Sequence, residues 1–331
     1  MIKLPSNIIP RDRYLLKIEP YIGKSIIKVL TGQRRVGKSY ILYQIIKKIL
    51  KEESKANIIY INKEDLQFGF IKTYEDLDAY IKVNIRTDIR NYIFIDEIQD
   101  INEFERSLRS LLLDQNNDIY ITGSNSKMLS GELATFLSGR YIEIDVYSLS
   151  YPEFLVFHKL DDNNKSLDLF SKYGGLPYLI NLTLEDAVVL DYLKNIYNTI
   201  VYRDVVSRYA VRNTFFLERL LSFISDNIGS LFSSKKISDF LKSQNIKISV
   251  NQILTYMNYF LSAYVIHRVS KYDLIGKRFF EVGEKYYFDN LGIRNSIVGY
   301  KISDRSKILE NLVFNHLLYL GYNVKVGYLQ D

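Results

Sequence analysis

Cysteine is absent from the 331 residues, and histidine occurs only three times. The first absence excludes disulfides, thiolate zinc sites and cysteine nucleophiles, and the second leaves little material for an imidazole metal cluster. Any metal held by this chain is therefore expected to have oxygen ligands. No apolar run approaches the ~20 residues needed to span a bilayer, and the N-terminal MIKLPSNIIPRDR lacks the apolar core of a signal peptide. The expectation is a cytoplasmic protein with no membrane partner. Low-complexity tracts are missing too, and 47% hydrophobic with 25% charged residues is the composition of a folded chain. The length exceeds what one compact core usually holds and predicts two or three domains. A formal charge of +6 permits contact with nucleic acid, but it is spread over a lysine-rich sequence and says little by itself.

What is present begins with a short apolar strand, Ile26–Thr31, that runs into Gly32-Gln33-Arg34-Arg35-Val36-Gly37-Lys38-Ser39. Leu42, Ile45, Ile46, Ile49 and Leu50 then recur at helical spacing, which predicts a helix from Lys38 through Tyr40 to about Glu52. A strand, a glycine loop and a helix in that order form a phosphate site, because converging backbone N–H groups and the helix dipole both favour an anion. Gly32 and Gly37 let the loop curl. Lys38 is suited to meet the terminal phosphates as a point charge, and the Ser39 hydroxyl to ligate magnesium.

Tyr92–Ile95 is a second buried strand, and it ends in Asp96 and Glu97. Ligands of a parallel sheet lie at its strand ends. Asp96 is placed to bind magnesium, and Glu97 to accept a proton from water or to orient it. Ile119–Thr122 leads into Gly123, Ser124 and Asn125, polar groups suited to contact the attacking water or a γ-phosphate. Arg140 stands between an expected helix, Ser126–Leu137, and an expected strand, Tyr141–Val146. From there an arginine finger could serve its own nucleotide or that of a neighbouring subunit.

Alternation of these strands with helical segments such as Tyr74–Val83 and Phe104–Leu113 predicts an α/β fold, a P-loop NTPase parallel sheet covered by helices on both faces, over residues 1–150. A helical lid is expected over 151–212, from helices at Glu153–Lys159, Leu167–Lys172 and Leu184–Arg208 around a Gly174–Pro177 turn. Two helices, Lys236–Lys242 and Val250–Ala263, precede strand-like Tyr264–Val269 and Arg278–Val282, the outline of a winged helix-turn-helix over 213–285. The remainder, 286–331, holds the helix Ser306–Leu320 and a strand-like Tyr322–Tyr328. It is too little for an independent core, so it either docks on the preceding domain or begins a larger one.

Assembled in this order, the motifs resemble the AAA+-like P-loop ATPases of archaea and bacteria that carry a winged-helix segment and a C-terminal PD-(D/E)XK nuclease-like domain. The resemblance rests on Gly32–Ser39, Ile95–Gln99, Thr122–Ser126, Leu129–Leu133 with Ser138–Arg140, and Gly174–Pro177. Tyr202–Asp204, Lys285–Asp289 and Glu310–Val313 add to it. It implies ATP and magnesium as cofactors, Thr122–Asn125 as a sensor, Arg140 as the finger and Pro177 lining the nucleotide. It also implies that Tyr14 and the Pro10-Arg11 stretch flank the adenine. The sequence departs from the pattern by stopping at Asp331, so the nuclease-like fold is expected to be incomplete, with Glu310 structural rather than catalytic.

The function expected is a magnesium-dependent ATPase whose cycle moves the lid and the winged helix. A nucleotide-dependent interaction switch with little hydrolysis is the first alternative. Another is binding of double-stranded DNA through Lys235, Lys236, Lys242 and Lys247 and through His267, Arg268, Lys271, Lys277 and Arg278. Homo-oligomers are expected if Arg140 acts in trans. A small-molecule kinase is disfavoured by Glu97, a base that would activate water.

Overall fold

The computed structural model describes residues 4–126, 137, 139–232, 234–243, 248–273 and 283–328. Much of the helix expected over Ser126–Leu137 lies outside these residues. So do the Leu129–Leu133 motif, Ser138, the strand Arg278–Val282, Lys247 and Lys277. Two compact units are present, Met1–Gly32 with Val36–Val146, and Gln33–Arg35 with Tyr147–Asp331.

The first unit runs α1 (Asp12–Ile18), β1 (Ile27–Thr31), α2 (Lys38–Glu52), β2 (Asn57–Asn62), α3 (Tyr74–Asn84), β3 (Asn91–Asp96), α4 (Phe104–Leu111), β4 (Asn117–Gly123) and β5 (Tyr141–Asp145). Its sheet has the order β2-β3-β4-β1-β5, and every pairing is parallel. Central β1, β3 and β4 are buried at each position, which is why their middles read as short apolar runs rather than as a polar-apolar alternation. Alternate residues serve opposite faces. Ile93, Ile95, Ile119 and Ile121 join Leu77, Ile81 and Leu108 of α3 and α4 in one core, while Phe94 and Tyr120 stack with ring centroids 4.5 Å apart. Thr73 starts α3 with a capping box in which its side chain and that of Asp76 exchange backbone hydrogen bonds.

The second unit contains α5 (Tyr151–His158), α6 (Asn164–Tyr173), a 3₁₀ turn Pro177–Asn181, α7 (Asp186–Thr199), a π-helical stretch Ile200–Ser207, α8 (Thr214–Asp226), α9 (Ser234–Ser243) and α10 (Val250–Ser262). Then come β6 (Ile266–Asp273), β7 (Glu284–Phe288), α11 (Leu291–Val298), α12 (Arg305–Leu320) and β8 (Val326–Tyr328). The single helix expected over Leu184–Arg208 is thus α-helical only to Thr199 and π-helical beyond it.

β6 pairs antiparallel with β7 and parallel with β8, giving the order β7-β6-β8. The terminal segment therefore docks on the preceding strands. Phe314 of α12 stacks on Tyr287 at 4.3 Å, and the Phe288 N–H donates to Asn311 Oδ1 at 2.8 Å. Glu310 accepts from Lys285 Nζ at 2.7 Å and from the Tyr287 hydroxyl at 2.6 Å, contacts that tie α12 to β7. Among the described residues no helix is long and apolar enough to cross a membrane.

Candidate functional site

Two glycines bracket the loop between β1 and α2. Gly32 has φ +142°, and a Cβ there would lie 2.1 Å from the Val146 carbonyl oxygen, so a side chain is excluded. Gly37 has φ 96° and caps the N-terminus of α2. Between them Arg35 adopts a left-handed φ of 70° that is uncommon for a residue with a Cβ. Lys38 opens α2, is buried, and donates from Nζ to the Gly32 carbonyl at 2.9 Å. Val36 is pinned from behind, since Arg11 Nη1 donates to its carbonyl at 3.0 Å while the Arg11 N–H donates to Gln44 Oε1 at 2.9 Å. Tyr14, expected beside adenine, is buried, with the Arg11 guanidinium 4.6 Å from its ring centroid. Tyr40, on α2, is exposed.

β3 brings its carboxylates to the same end of the sheet. Asp96 is 2% exposed, and its Oδ1 accepts from Thr122 Oγ1 at 2.5 Å and its Oδ2 from the Tyr60 hydroxyl at 3.1 Å. The Ser39 hydroxyl also bonds this carboxylate. Burial pushes the Asp96 carboxyl above its ordinary range and neighbouring Glu97 adds to this, while the Ser39 and Thr122 hydrogen bonds and Lys38 oppose it. A buried carboxylate in that condition favours an added cation.

Glu97 has a left-handed φ of 56°, a strained conformation that turns its side chain out of the strand's alternation. Its backbone N–H donates to Thr122 Oγ1 at 2.9 Å. Glu97 Oε2 accepts from Ser124 Oγ at 3.0 Å and from Gln99 Nε2. Its Oε1 lies 4.0 Å from Lys38 Nζ. Asn125 is buried just past the end of β4. Gly32, Val36, Gly37, Lys38, Ser39, Asp96, Glu97 and Asn125 thus lie at the carboxyl ends of three adjacent parallel strands, β3-β4-β1.

Arg140 lies at the amino-terminal end of the same sheet. Arg140 is exposed, and its carbonyl accepts from the Ile27 N–H at 3.0 Å, at the start of β1. At about 3.3 Å per strand residue, roughly 16 Å separates it from the loop that leaves the other end of β1. It cannot reach its own chain's phosphate loop. Pro177 begins a 3₁₀ turn in the second unit. Arg34 and Gln33 are buried and bonded within that unit, Arg34 to Asp204 and Gln33 to the Tyr264 carbonyl, whereas Arg35 is exposed.

A magnesium nucleotide fits the donor set. Among the described residues no group of three or more His, Asp or Glu side chains gathers as a metal cage. Magnesium is typically held by one or two carboxylates together with substrate phosphates, and Ser39 with Asp96 would supply the protein's share. Tyr60 was not signalled by sequence, whereas Gln99 closes the Ile95–Gln99 motif and Arg11 belongs to the Pro10-Arg11 stretch. Tyr60 follows the apolar Ile58-Ile59 pair in a strand, so it reads as core, and only the packing of β2 beside β3 brings its hydroxyl to Asp96.

Residues 24–155 match the family model described as an AAA domain, and residues 164–304 match one described as a domain of unknown function. An uncharacterized protein of Haemophilus influenzae is 34% identical, over 98% of this chain and 82% of its own length. An uncharacterized protein of Methanocaldococcus jannaschii is also 34% identical, over 96% of this chain and 71% of its own. Among solved structures, the Aeropyrum pernix ORC1 protein in complex with DNA is similar at a TM-score of 0.38 with 11% identity, covering 96% of both chains. AMPPCP-bound DnaA from Aquifex aeolicus is similar at 0.39 with 14% identity, covering 65% of this chain and 75% of its own.

Proposed function

The chain belongs to the family of AAA-domain proteins that includes these Haemophilus influenzae and Methanocaldococcus jannaschii relatives, and from that premise we propose that it is a magnesium-dependent ATPase. Its cycle moves the helical segment after residue 150 and the winged-helix segment formed by α9, α10, β6 and β7. One observation carries the reading: a fixed Glu97 carboxylate stands 4.0 Å from the Lys38 ammonium, next to an Asp96 carboxylate bonded to Ser39.

Magnesium-ATP would supply the phosphoanhydride to be cleaved and a cation to offset its charge. Lys38 would leave the Gly32 carbonyl for the terminal phosphates. Ser39 and Asp96 would hold the metal, with Asp96 oriented by Thr122 and Tyr60. Glu97 orients the attacking water and takes its proton. Ser124 holds Glu97 in place, and Asn125 contacts the water or the γ-phosphate. The position of Arg140, away from its own loop, supports a finger acting on a neighbouring copy and hence a homo-oligomer.

Magnesium-dependent phosphate release measures the proposal. Lys38→Ala should weaken ATP binding by about 2–5 kcal/mol, the cost of removing one member of a buried charge contact. Unchanged turnover in both Lys38→Ala and Glu97→Gln would overturn it.

A second reading is a nucleotide-dependent switch with little hydrolysis. It is favoured by the two donors, Ser124 and Gln99, on Glu97 Oε2, which the carboxylate must surrender to swing toward water. Near-zero single-turnover rates with retained nucleotide would select it. Contact with duplex DNA through the winged-helix segment is supported by the order helix, helix, strand, strand and by exposed Lys235. Against it, Lys242, His267 and Arg268 each face a carboxylate, Asp239, Asp289 and Glu284. Turnover with and without duplex DNA, at low and high salt, separates the two outcomes.

A further inference from the structure

The middle of the phosphate loop is anchored by a contact that the proposed chemistry does not use. Arg34 Nε donates to Asp204 Oδ2 at 2.8 Å and Arg34 Nη2 to Asp204 Oδ1 at 2.9 Å, a two-pronged pair with both side chains almost fully buried. Asp204 lies in the π-helical stretch Ile200–Ser207, within the Tyr202-Arg203-Asp204 motif. Beside it in sequence, Gln33 Nε2 donates to the Tyr264 carbonyl at 3.0 Å.

An apolar pair of equal volume would fill such a site with no loss of stability, whereas a buried guanidinium without its partner is strongly penalised. What the charge pair adds is fixed geometry, because two parallel N–H···O bonds hold position and angle together. The loop needs that. Its backbone turns through positive φ at Gly32, Arg35 and Gly37, and Arg35 has a Cβ that opposes the turn. The stretch that holds Asp204 is π-helical, a rare form that is frequent at functional sites.

We propose that Asp204 is a positioning residue for the phosphate-binding loop: its two-pronged hold on Arg34 keeps the loop's N–H groups turned toward the phosphates and links nucleotide binding to the π-helical turn. The inference rests on the ATP-binding reading above. Coupling of this kind is reciprocal, so nucleotide must stabilise Ile200–Ser207 to the extent that Asp204 strengthens nucleotide binding.

The test uses the full chain, a fluorescent ATP analogue with magnesium, and hydrogen exchange. Asp204→Asn keeps the shape and removes the charge. It should melt cooperatively yet bind the analogue about 5–150-fold more weakly, the usual range for coupled sites. The exchanged pair Arg34→Asp with Asp204→Arg should recover part of that loss. In the wild type, nucleotide should slow exchange over residues 200–207, and Asp204→Asn should abolish the effect. A merely structural aspartate would lower the melting temperature and leave affinity and nucleotide-dependent exchange unchanged, which would overturn the proposal. If Asp204→Asn does not fold, wild-type exchange decides, because residues 200–207 insensitive to nucleotide refute the link. A wild type that binds no ATP refutes the proposed function itself, while one that binds ATP with no response at 200–207 refutes only the role of Asp204.

Discussion

The two ends of the five-stranded sheet both bury charge, and they do so differently. At the amino-terminal end Lys28 pairs with Asp118. The remaining capacity of the pair is filled by the Gly23 N–H at 2.7 Å and the Tyr120 hydroxyl at 2.8 Å on Asp118, and by the Lys24 carbonyl at 3.0 Å on Lys28. Asp118 offsets the Lys28 charge there, while nearby Arg90 repels it. At the carboxyl end two carboxylates, Asp96 and Glu97, lie near the Lys38 ammonium, and the hydroxyls of Thr122, Tyr60, Ser39 and Ser124 and the Gln99 amide donate to them. The first cluster is closed and structural. The second sets two carboxylates side by side, oxygen ligands of the kind magnesium takes.

That contrast can be broken experimentally. Glu97→Gln should reduce ATP turnover by about 10²–10⁴-fold, the usual contribution of a positioned base, while calorimetry finds ATP still bound; undiminished turnover would remove Glu97 from the chemistry. Asp118→Asn should do the reverse. It leaves Lys28 buried without its counter-charge and should cost about 3–5 kcal/mol in urea unfolding, with the binding enthalpy of magnesium-ATP unaltered in the folded fraction. Replacing both members by Lys28→Met and Asp118→Leu should restore most of the loss, and failure to do so would contradict a purely structural role.

Asp96 provides the pH test. Its folded carboxyl holds a proton more tightly than the unfolded one, chiefly through burial. Its ionisation therefore destabilises the nucleotide-free protein at neutral pH, and the penalty is relieved as pH falls through the raised value toward the ordinary carboxylate range. Asp96→Asn should raise the melting temperature at pH 7, flatten this pH dependence and eliminate the stabilisation given by magnesium-ATP. A lower melting temperature would show that Asp96 is fully compensated, like Asp118. Smallest of all, Tyr60→Phe removes one hydrogen bond to Asp96 and should weaken apparent magnesium affinity by about 0.5–1.5 kcal/mol; an unchanged magnesium titration would make Tyr60 mere packing.

Much of the first unit was legible in the sequence. Buried central strands carry mainly apolar residues, so β1, β3 and β4 show as short runs, and the carboxyl end of each is marked by Gly32, Asp96-Glu97 and Gly123-Ser124-Asn125. Less was legible after residue 150. α11 holds Arg294 fully buried, donating from Nε to the Ser225 carbonyl at 2.8 Å and from Nη2 to Asp304 at 2.6 Å, so it shows no apolar stripe of the usual kind. The π-helical stretch was hidden because Ile200, Val201 and Val205 satisfy an α-helical period locally.

By itself the sequence determined a phosphate-binding loop ahead of a helix and an acidic pair at the end of a strand, because local backbone needs and burial impose those residue types. Only the tertiary structure decided which groups surround them. That Thr122 bridges the two acidic residues, that Tyr60 reaches Asp96, that Arg140 lies at the wrong end of β1 for its own loop, and that Arg34 is paired with Asp204 are all results of strand order and of contacts across many residues. Such contacts leave no periodic mark on the chain, since each depends on two distant positions meeting in space.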